Sequence, residues 1–202
     1  MGTADADSAR ERIVVAAKGE FAAHGIAGAR VERIAKDART SKERLYAYFR
    51  SKEELYAHVM SRELAVIAEA THLDAADLPG YAGRLFDYFT ANTDHFRLIA
   101  WGRLEFEVPR TLAKDDPTEK VVRRKLDQIR EAQRGGYIDP TWEPVDVLAL
   151  VTQIATTWCS QGHLRSIAAP KARRADVAAH RAAVVEAVQR IFPARADRPR
   201  SK

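Results

Sequence analysis

The side chains best suited to chemistry are concentrated in residues 40–49, which read TSKERLYAYF. This stretch holds two hydroxyl residues, three charged residues and three aromatic rings in ten positions. If it forms one short helix, Leu45 and Phe49 lie four residues apart on one face, and we assign that face to the core. The charged and tyrosine side chains on the other faces must then contact something outside the domain.

Those outward side chains suit the surface of DNA. Arg44 has the geometry to pair with guanine or to clamp a phosphate, and Lys42 adds a point charge. The hydroxyls of Tyr46 and Tyr48 are suited to donate to phosphate oxygens. Lys52, in the first turn of the next helix, lies where backbone N–H groups favour an anion. The alternative is that this is the charged, solvated helix of an ordinary bundle.

The spacing of apolar residues is helical along nearly the whole chain, and no stretch alternates as a strand requires. The sequence therefore predicts an all-α fold. We expect a short helix that begins at residue 40 or 41, and further helices at 8–24, 30–38, 51–71, 81–92, 94–106, 117–134, 143–163 and 170–192. Two short helices joined by a tight turn at 37–40 are typical of a helix-turn-helix, whose second helix enters the major groove.

The ends of the first and third helices carry recognisable signals. Gly25 is placed to end the first helix in a left-handed cap. The third helix has two candidate N-caps. One is Thr40, which would form a capping box with Glu43, and the other is Ser41.

Two further signals divide the chain after the third helix. Ser51 and Glu54 form a second capping box, which predicts the start of a longer helix. The segment 73–80, LDAADLPG, ends in a Pro-Gly pair that we interpret as a helix stop. We therefore place the clearest boundary of the chain there.

Composition indicates a globular chain of 202 residues, with 46% apolar and 30% charged residues. Cys159 is the only cysteine, which excludes an intramolecular disulfide and fits a reducing compartment. No apolar run approaches the roughly 20 residues that span a bilayer, and the N-terminus has no signal-peptide core, so we expect a cytoplasmic protein without membrane contact. The net charge of +5 is weak evidence for an acidic partner, because much of the excess lies near the C-terminus.

Three pieces of the N-terminal sequence stand in one register: AA...F...G at 16–25, V..IA..A..SK..LY.YF at 31–49, and SKEEL at 51–55. Together they resemble the DNA-binding domain of TetR-family transcriptional regulators. The resemblance implies a homodimeric, all-α repressor that binds a palindromic operator in double-stranded DNA and responds to a small-molecule effector. It requires no cofactor, metal or catalytic residue.

The resemblance also implies a division of labour along the chain. We expect a three-helix DNA-binding domain at 8–56, linked by the helix at about 51–72 to an effector-binding and dimerisation domain at 73–192, with 193–202 as a disordered tail. The last two helices would form the dimer interface. The expected DNA contacts are Arg30, Lys42, Glu43, Arg44, Tyr46, Tyr48 and Lys52. The expected pocket, for an apolar or aromatic effector, contains Phe86, Phe89, Trp101 and Trp158.

Three residues depart from the family pattern. Arg39 stands in the turn where the family usually has glycine, at a cost on the order of 1 kcal/mol if the position is left-handed. Ala29 stands at the start of the second helix, where the family often has Thr or Ser, and so removes a side chain that could cap it. Glu43 is either a cap partner for Thr40 or an acceptor for a cytosine amino group.

Other chemistry has little support in the sequence. Cys159 and His163 are four residues apart, but two ligands do not make a tetrahedral metal site. No motif of a nucleotide-binding loop or of a catalytic triad is present. The alternative from another functional class is an all-α ligand-binding or scaffold protein whose helix-turn-helix no longer reads DNA, and Arg39 and Glu43 motivate it.

Overall fold

The computed structural model describes residues 3–105, 117–161 and 173–193. These residues form nine α-helices and no strand, which confirms the predicted all-α fold. The helices are α1 (Thr3–Gly28), α2 (Val31–Asp37), α3 (Lys42–Tyr48), α4 (Lys52–Ala70), α5 (Leu78–Ala91), α6 (Thr93–Glu105), α7 (Pro117–Arg134), α8 (Pro144–Ser160) and α9 (Arg173–Ile191). Within these ranges, no helix is both long and apolar enough to cross a bilayer.

The described helices group into two compact units. The first unit falls within Met1–Ile67 and Thr93–Thr118, and the second within Ala68–Asn92 and Glu119–Lys202. In the first unit α6 packs along α1. The sequence places this segment in the predicted C-terminal domain, whereas its packing places α6 in the first unit. The domain boundary at residue 73 stays a prediction.

The core of the first unit holds the helix-turn-helix in place. The apolar residues predicted to face inward from α2 and α3 are buried in it: Val31, Ile34, Ala35, Leu45 and Phe49. They pack with the buried faces of α1 and α4 and with Leu98 of α6 in one cluster. The second helix of the motif packs against α1 and α2, and its buried side chains belong to a core that α4 and α6 also share.

The turn between α2 and α3 closes in a Schellman arrangement. The N–H of Thr40 donates to the carbonyl of Ala35 at 2.9 Å, and the N–H of Arg39 donates to the carbonyl of Lys36 at 3.0 Å. Arg39 has a positive φ of 51°, in the left-handed region that usually requires glycine. Arg39 thus occupies the left-handed position of the turn, where the resemblance noted above leads us to expect glycine.

The structure decides between the two candidate caps of α3. Ser41 is the N-cap, and its hydroxyl accepts from the N–H of Arg44 at 3.1 Å. The alternative box between Thr40 and Glu43 does not form. The hydroxyl of Thr40 is buried and has no hydrogen-bond partner among the described residues.

Several helix ends differ from prediction. Gly25 adopts a positive φ of 71°, but this residue kinks α1 and does not end it, since the helix continues to Gly28. The Pro-Gly pair is not a stop: α5 already begins at Leu78, because Asp77 caps it by accepting from the N–H of Gly80 at 2.8 Å. Proline is tolerated there because N–H groups in the first turn have no partner within the helix.

The second unit is built around α5, which packs against α8 and α9. The buried face of α5 is formed by Leu78, Tyr81, Ala82, Leu85, Phe86 and Phe89. Opposite it lie the buried residues Val147, Val151 and Ala155 of α8 and Val184 and Val188 of α9. The structure contains the two predicted helices at 143–163 and 170–192. The end of the first (162–163) and the start of the second (170–172) lie outside the described residues.

Replacing Arg39 by glycine is expected to stabilise the first unit. We expect Arg39→Gly to exceed Arg39→Ala in free energy of unfolding by about 1 kcal/mol, because alanine keeps the Cβ that disfavours the left-handed region. The alanine variant is the matched control, since both changes remove the same charge. Urea denaturation measures the difference. Equal stability of the two variants would show that the backbone at Arg39 carries no strain.

Candidate nucleic-acid interface and effector region

One side of α3 is open to solvent, opposite the side that Leu45 buries. Lys42, Glu43, Arg44 and Tyr46 are exposed, and 41% of the surface of Tyr46 remains accessible. Tyr48 of α3 is partly buried, and Arg30, the N-cap of α2, is exposed. The structure therefore presents the predicted contact residues of α3 as a polar surface with two phenol rings.

Lys42 is paired in this structure. Its ammonium lies 2.6 Å from the Glu32 carboxylate of α2, and both side chains are exposed. The hydrogen bond to Glu32 raises the pKa of Lys42, and the bond from Lys42 lowers the pKa of Glu32. A phosphate that engages Lys42 must compete with Glu32. This exposed pair costs little to break because solvent screens it.

Glu43 interacts with the start of its own helix. Hydrogen bonding to its own backbone amide, and then to Ser41, lowers the pKa of the Glu43 carboxyl. A carboxylate in the first turn of a helix is also favoured by the helix dipole. The capping box predicted between Glu43 and Thr40 is therefore absent, and Glu43 interacts with Ser41 instead. The other interpretation of Glu43, contact with a cytosine amino group, stays a prediction.

Glu20 organises the start of α2, where the N-cap is Arg30 and no side chain caps the helix. Ala29, predicted to stand at the N-cap, lies one residue before it. The Glu20 carboxylate, only 8% exposed, accepts from the N–H of Arg30 at 2.8 Å and from Nε of Arg33 at 2.8 Å. Burial raises the pKa of Glu20, but the bonds from Arg33 and Arg30 prevail, and the net effect is a lowered pKa. A buried acid on α1 thus satisfies the N–H of the N-cap residue Arg30, and no side chain caps the N–H groups of the first turn of α2.

Lys52 lies at the start of α4 as predicted, but its ammonium is engaged with backbone carbonyls. Nζ donates to the carbonyl of Ala27 at 3.1 Å and to the carbonyl of Ala29 at 3.3 Å. These carbonyls follow the kink in α1. Lys52 therefore fastens the loop between α1 and α2 to α4, a structural role that the sequence pattern did not indicate.

Polar side chains of α6 bind the C-terminal end of α1. Arg97 donates to the carbonyls of Ala22 and Ala23, at 2.7 and 3.0 Å. Glu105 accepts from the N–H of Ala27 at 2.6 Å. These contacts satisfy backbone groups that the kink leaves without helical partners.

Trp101, predicted as a pocket residue, lies on α6 in the first unit. A Cβ placed on Gly25 would lie only 3.0 Å from its indole ring. The indole therefore covers the kink, and glycine is needed at that position both for its positive φ and for this close approach. This contact is sufficient to account for Trp101.

A polar cluster that sequence reasoning missed joins three helices of the first unit. Lys18 of α1 lies 2.7 Å from Oε2 of Glu63 on α4 and 2.6 Å from Nε2 of His95 on α6. Nε2 of His95 is also 2.8 Å from Glu63, and both of these side chains are buried. In a neutral imidazole this nitrogen either accepts from Lys18 or donates to Glu63, so the cluster is sensitive to protonation.

The other predicted pocket residues lie in the second unit. Phe86 and Phe89 are buried in α5 at 2% and 3% exposure. Trp158 on α8 is partly buried and stacks on His180 of α9, with ring centroids 3.6 Å apart. Within the described residues no group of three or more His, Cys, Asp or Glu is arranged to hold a metal. His163, the suggested partner of Cys159, lies outside the described residues.

Comparison with known proteins identifies relatives of both halves of the chain. The family described as "Bacterial regulatory proteins, tetR family" matches residues 13–59, and "Tetracyclin repressor-like, C-terminal domain" matches residues 77–190. The HTH-type transcriptional repressor SCO4008 of Streptomyces coelicolor is 35% identical over 155 residues, which cover 77% of this chain and 80% of that protein.

Solved structures agree with these matches. SCO4942 of Streptomyces coelicolor, a proposed transcriptional regulator, is 59% identical, with a TM-score of 0.78 over 92% of this chain and 98% of its own. TylP, a TetR regulator from Streptomyces fradiae, is 20% identical, with a TM-score of 0.62 over 95% of this chain and 89% of its own. At that identity TylP supports the fold alone.

The polar cluster predicts a pH-dependent stability of the first unit. Burial, and then the positive charge of Lys18, lower the pKa of His95, so its protonation opposes folding. This contribution is fully present above the ordinary value of 6.5 and is lost as pH falls through the folded pKa. We expect His95→Gln to flatten the fall in the free energy of unfolding, measured in urea between about pH 7.5 and 5.

His58 is the necessary comparison, because burial and then Arg10 lower its pKa as well. His58→Gln is therefore expected to remove a separate part of the slope, and the double variant is expected to show the flattest profile. An unchanged slope in His95→Gln would mean that the cluster does not sense protonation.

Proposed function

The chain belongs to the TetR family of bacterial regulatory proteins, and from this premise we propose that it is a ligand-responsive repressor that binds a palindromic operator as a homodimer. The observation that carries the proposal is the division of α3 into two sides. Leu45 is fully buried, whereas Lys42 and Arg44 are exposed. Such a protein acts in the cytoplasm, where chromosomal DNA is found.

In the proposed complex, α3 enters the major groove. Arg44 lies at the start of the helix, where side chains of a recognition helix meet base edges. Lys42 exchanges Glu32 for a phosphate, and the hydroxyls of Tyr46 and Tyr48 donate to the backbone. Arg30 and Lys52 remain proposed phosphate contacts, although Lys52 already holds two carbonyls of the first unit.

Glu43 is the least favourable member of the proposed DNA surface, because its negative charge repels phosphates. The hydrogen bonds at the helix start hold it ionised, so a contact with DNA would require a donor such as the cytosine amino group. We retain Glu43 as a residue that restricts which base pairs fit beside it. Such a restriction contributes to specificity by penalising other sequences.

The last two helices provide a surface for a second copy of the chain. On α8, Val145 is 55% exposed and Leu150 37% exposed, although neither is polar. The outward positions of α9 include four exposed alanines: Ala178, Ala179, Ala182 and Ala183. Small and apolar outward faces allow helices to approach closely, and an interface between identical chains must be self-complementary.

We propose that the effector binds in the second unit, beside the buried aromatic face of α5. Phe86 and Phe89 belong to that face, and Trp158 lies on α8, which packs against it. An apolar or aromatic ligand fits such surroundings. Trp101 is not included, because its contact with Gly25 explains its position.

The alternative of a helix-turn-helix that no longer reads DNA is weaker once the turn is seen. Arg39 motivated it, yet the Schellman hydrogen bonds of the turn form around that residue. Glu43 also motivated it, yet its carboxylate supports the start of α3. Neither departure therefore disturbs the shape of the motif.

Gel-shift assays with DNA from beside the protein's own gene test the proposal. We expect dimeric binding that weakens steeply between about 50 and 200 mM salt, because binding releases counterions from the phosphates. Half-sites should be centred about 34–36 Å apart or a multiple of it. Arg44→Ala is expected to cost about 1–3 kcal/mol and to relax preference at one base pair.

Arg103→Ala is the matched control for Arg44. It removes an equal charge from an exposed position on α6, outside the helix-turn-helix. It is expected to leave operator preference unchanged. Binding that is indifferent to salt, or a protein that does not prefer this DNA to an unrelated sequence, would contradict the proposed function.

The dimer surface is tested separately by placing a charge on α8. We expect Leu150→Glu to convert the dimer to monomer in analytical ultracentrifugation and to weaken operator binding, since a buried unpaired carboxylate is costly. Val122→Glu on α7, a position 40% exposed, is the control and should remain dimeric. If Leu150→Glu remains a dimer at micromolar concentration, the interface lies elsewhere.

A further inference from the structure

Lys125 of α7 lies in an unusual position for a cation. Its ammonium donates to the hydroxyl of Tyr81 on α5 at 2.9 Å and lies 5.2 Å from the centre of the same ring. Tyr81 is only 1% exposed, and Lys125 is partly buried. The positive charge is thus held against the aromatic face of α5, next to a neutral hydroxyl.

No carboxylate among the described residues pairs with Lys125. Other cations of the second unit differ, although they are more exposed. Arg181 binds Asp87 at 2.9 Å, and Arg190 binds Glu186 at 2.8 Å. Burying an ammonium without an anion is unfavourable, and a negative group placed beside it would recover much of the lost hydration.

The ionisation of the two partners agrees with this geometry. Burial raises the pKa of Tyr81 to about 12, so its hydroxyl stays protonated and supplies no negative charge. Burial also lowers the pKa of Lys125, which is the effect expected of a cation that lacks a compensating anion.

The side chains next to Tyr81 indicate what the rest of an anionic ligand would contact. Tyr81, Leu85 and Phe89 are spaced four residues apart on one face of α5, and Phe86 borders them. From Tyr81 to Phe89 this face is about 12 Å long at 1.5 Å per residue. It therefore offers a cation at one end and an apolar, aromatic surface along its length.

From this arrangement we infer that Lys125 and the Tyr81 hydroxyl bind the carboxylate of the effector, whose apolar body lies along Leu85, Phe86 and Phe89. The inference rests on the proposed effector site and adds the chemical class of its ligand: an amphipathic carboxylic acid. Because the same face packs against α8 and α9, such a ligand must displace side chains at that contact. Binding would therefore change the packing of the second unit, as a switch requires.

A groove elsewhere in this unit fits an anion poorly. It has a volume of about 560 Å³ and is lined in part by His72, Asp74, Gln128 and Glu131. Its two carboxylates would repel a carboxylate ligand, and Tyr137, also in its lining, is 53% exposed. Compared with this groove, the surroundings of the partly buried Lys125 are therefore better suited to an anion.

Pairs of ligands that differ only in charge test the inference. The probes are decanoate with decanamide and 1-naphthoate with 1-naphthamide, and their binding to the full-length protein is measured by calorimetry. We expect at least one carboxylate to bind about tenfold or more tightly than its amide, as a charge-assisted hydrogen bond implies. Lys125→Met is expected to abolish this preference while the amide binds as before.

Arg124→Met is the control, because it removes the same charge from an exposed neighbouring position on α7. It should retain the preference for the carboxylate. Lys125→Gln is a second variant that keeps a polar group near Tyr81 and serves if the methionine variant fails to fold by circular dichroism. No preference for either carboxylate in the wild-type protein, or a preference that survives both changes of Lys125, would overturn the inference.

The same probes separate this inference from the proposed function. If a carboxylate binds through Lys125 and also releases operator DNA in gel shifts, both hold. If it binds through Lys125 and leaves DNA binding unchanged, the anion site stands and its role as effector site is refuted. If the protein fails to bind operator DNA at all, the calorimetric comparison still decides the identity of the anion site.

Discussion

The structure of the DNA-binding unit depends on the burial of Leu45 and Phe49. The helix that carries Leu45 has only seven residues, and a helix of that length does not form by itself in water. Its position is therefore set by the core into which these two side chains insert, which includes residues of α1, α2, α4 and α6. The same insertion turns Lys42 and Arg44 outward. Packing in the core thus determines which side chains are available to DNA.

Polar groups complete what the apolar core begins. Glu20 accepts from the N–H of Arg30 at the start of α2, Lys52 holds the carbonyls after the kink of α1, and Arg97 binds carbonyls just before it. Polar contacts of this kind, which are partly buried or exposed, add less to stability than to orientation, because each replaces hydrogen bonds to water. In this protein they hold the connection between the end of α1 and the start of α2. Helix α6 contributes to this connection through Arg97.

Features that depend on near neighbours in the chain could be predicted from the sequence. The buried residues of α2 and α3 follow from local spacing, and so does the cap of α4 by Ser51, whose hydroxyl accepts from the N–H of Glu54 at 3.1 Å. The place of Arg39 in the turn follows from the family resemblance. The start of α5 was missed, because a Pro-Gly pair permits a helix start as well as a stop. The cluster of Lys18, Glu63 and His95 could not be predicted, because its members lie 45 and 77 positions apart along the chain. The position of Lys125, which has no carboxylate partner among the described residues, could not be predicted for the same reason, since Tyr81, to which it donates, is 44 positions away.

The central claim is that α3 reads DNA with the side that Leu45 does not bury. The most direct measurement is a crystal structure of the protein bound to operator DNA from beside its own gene. In that complex we expect α3 to lie in the major groove, with Arg44 at the base edges and Lys42 moved from Glu32 to a phosphate. A complex in which α3 stays in solvent and another surface contacts the duplex would contradict it.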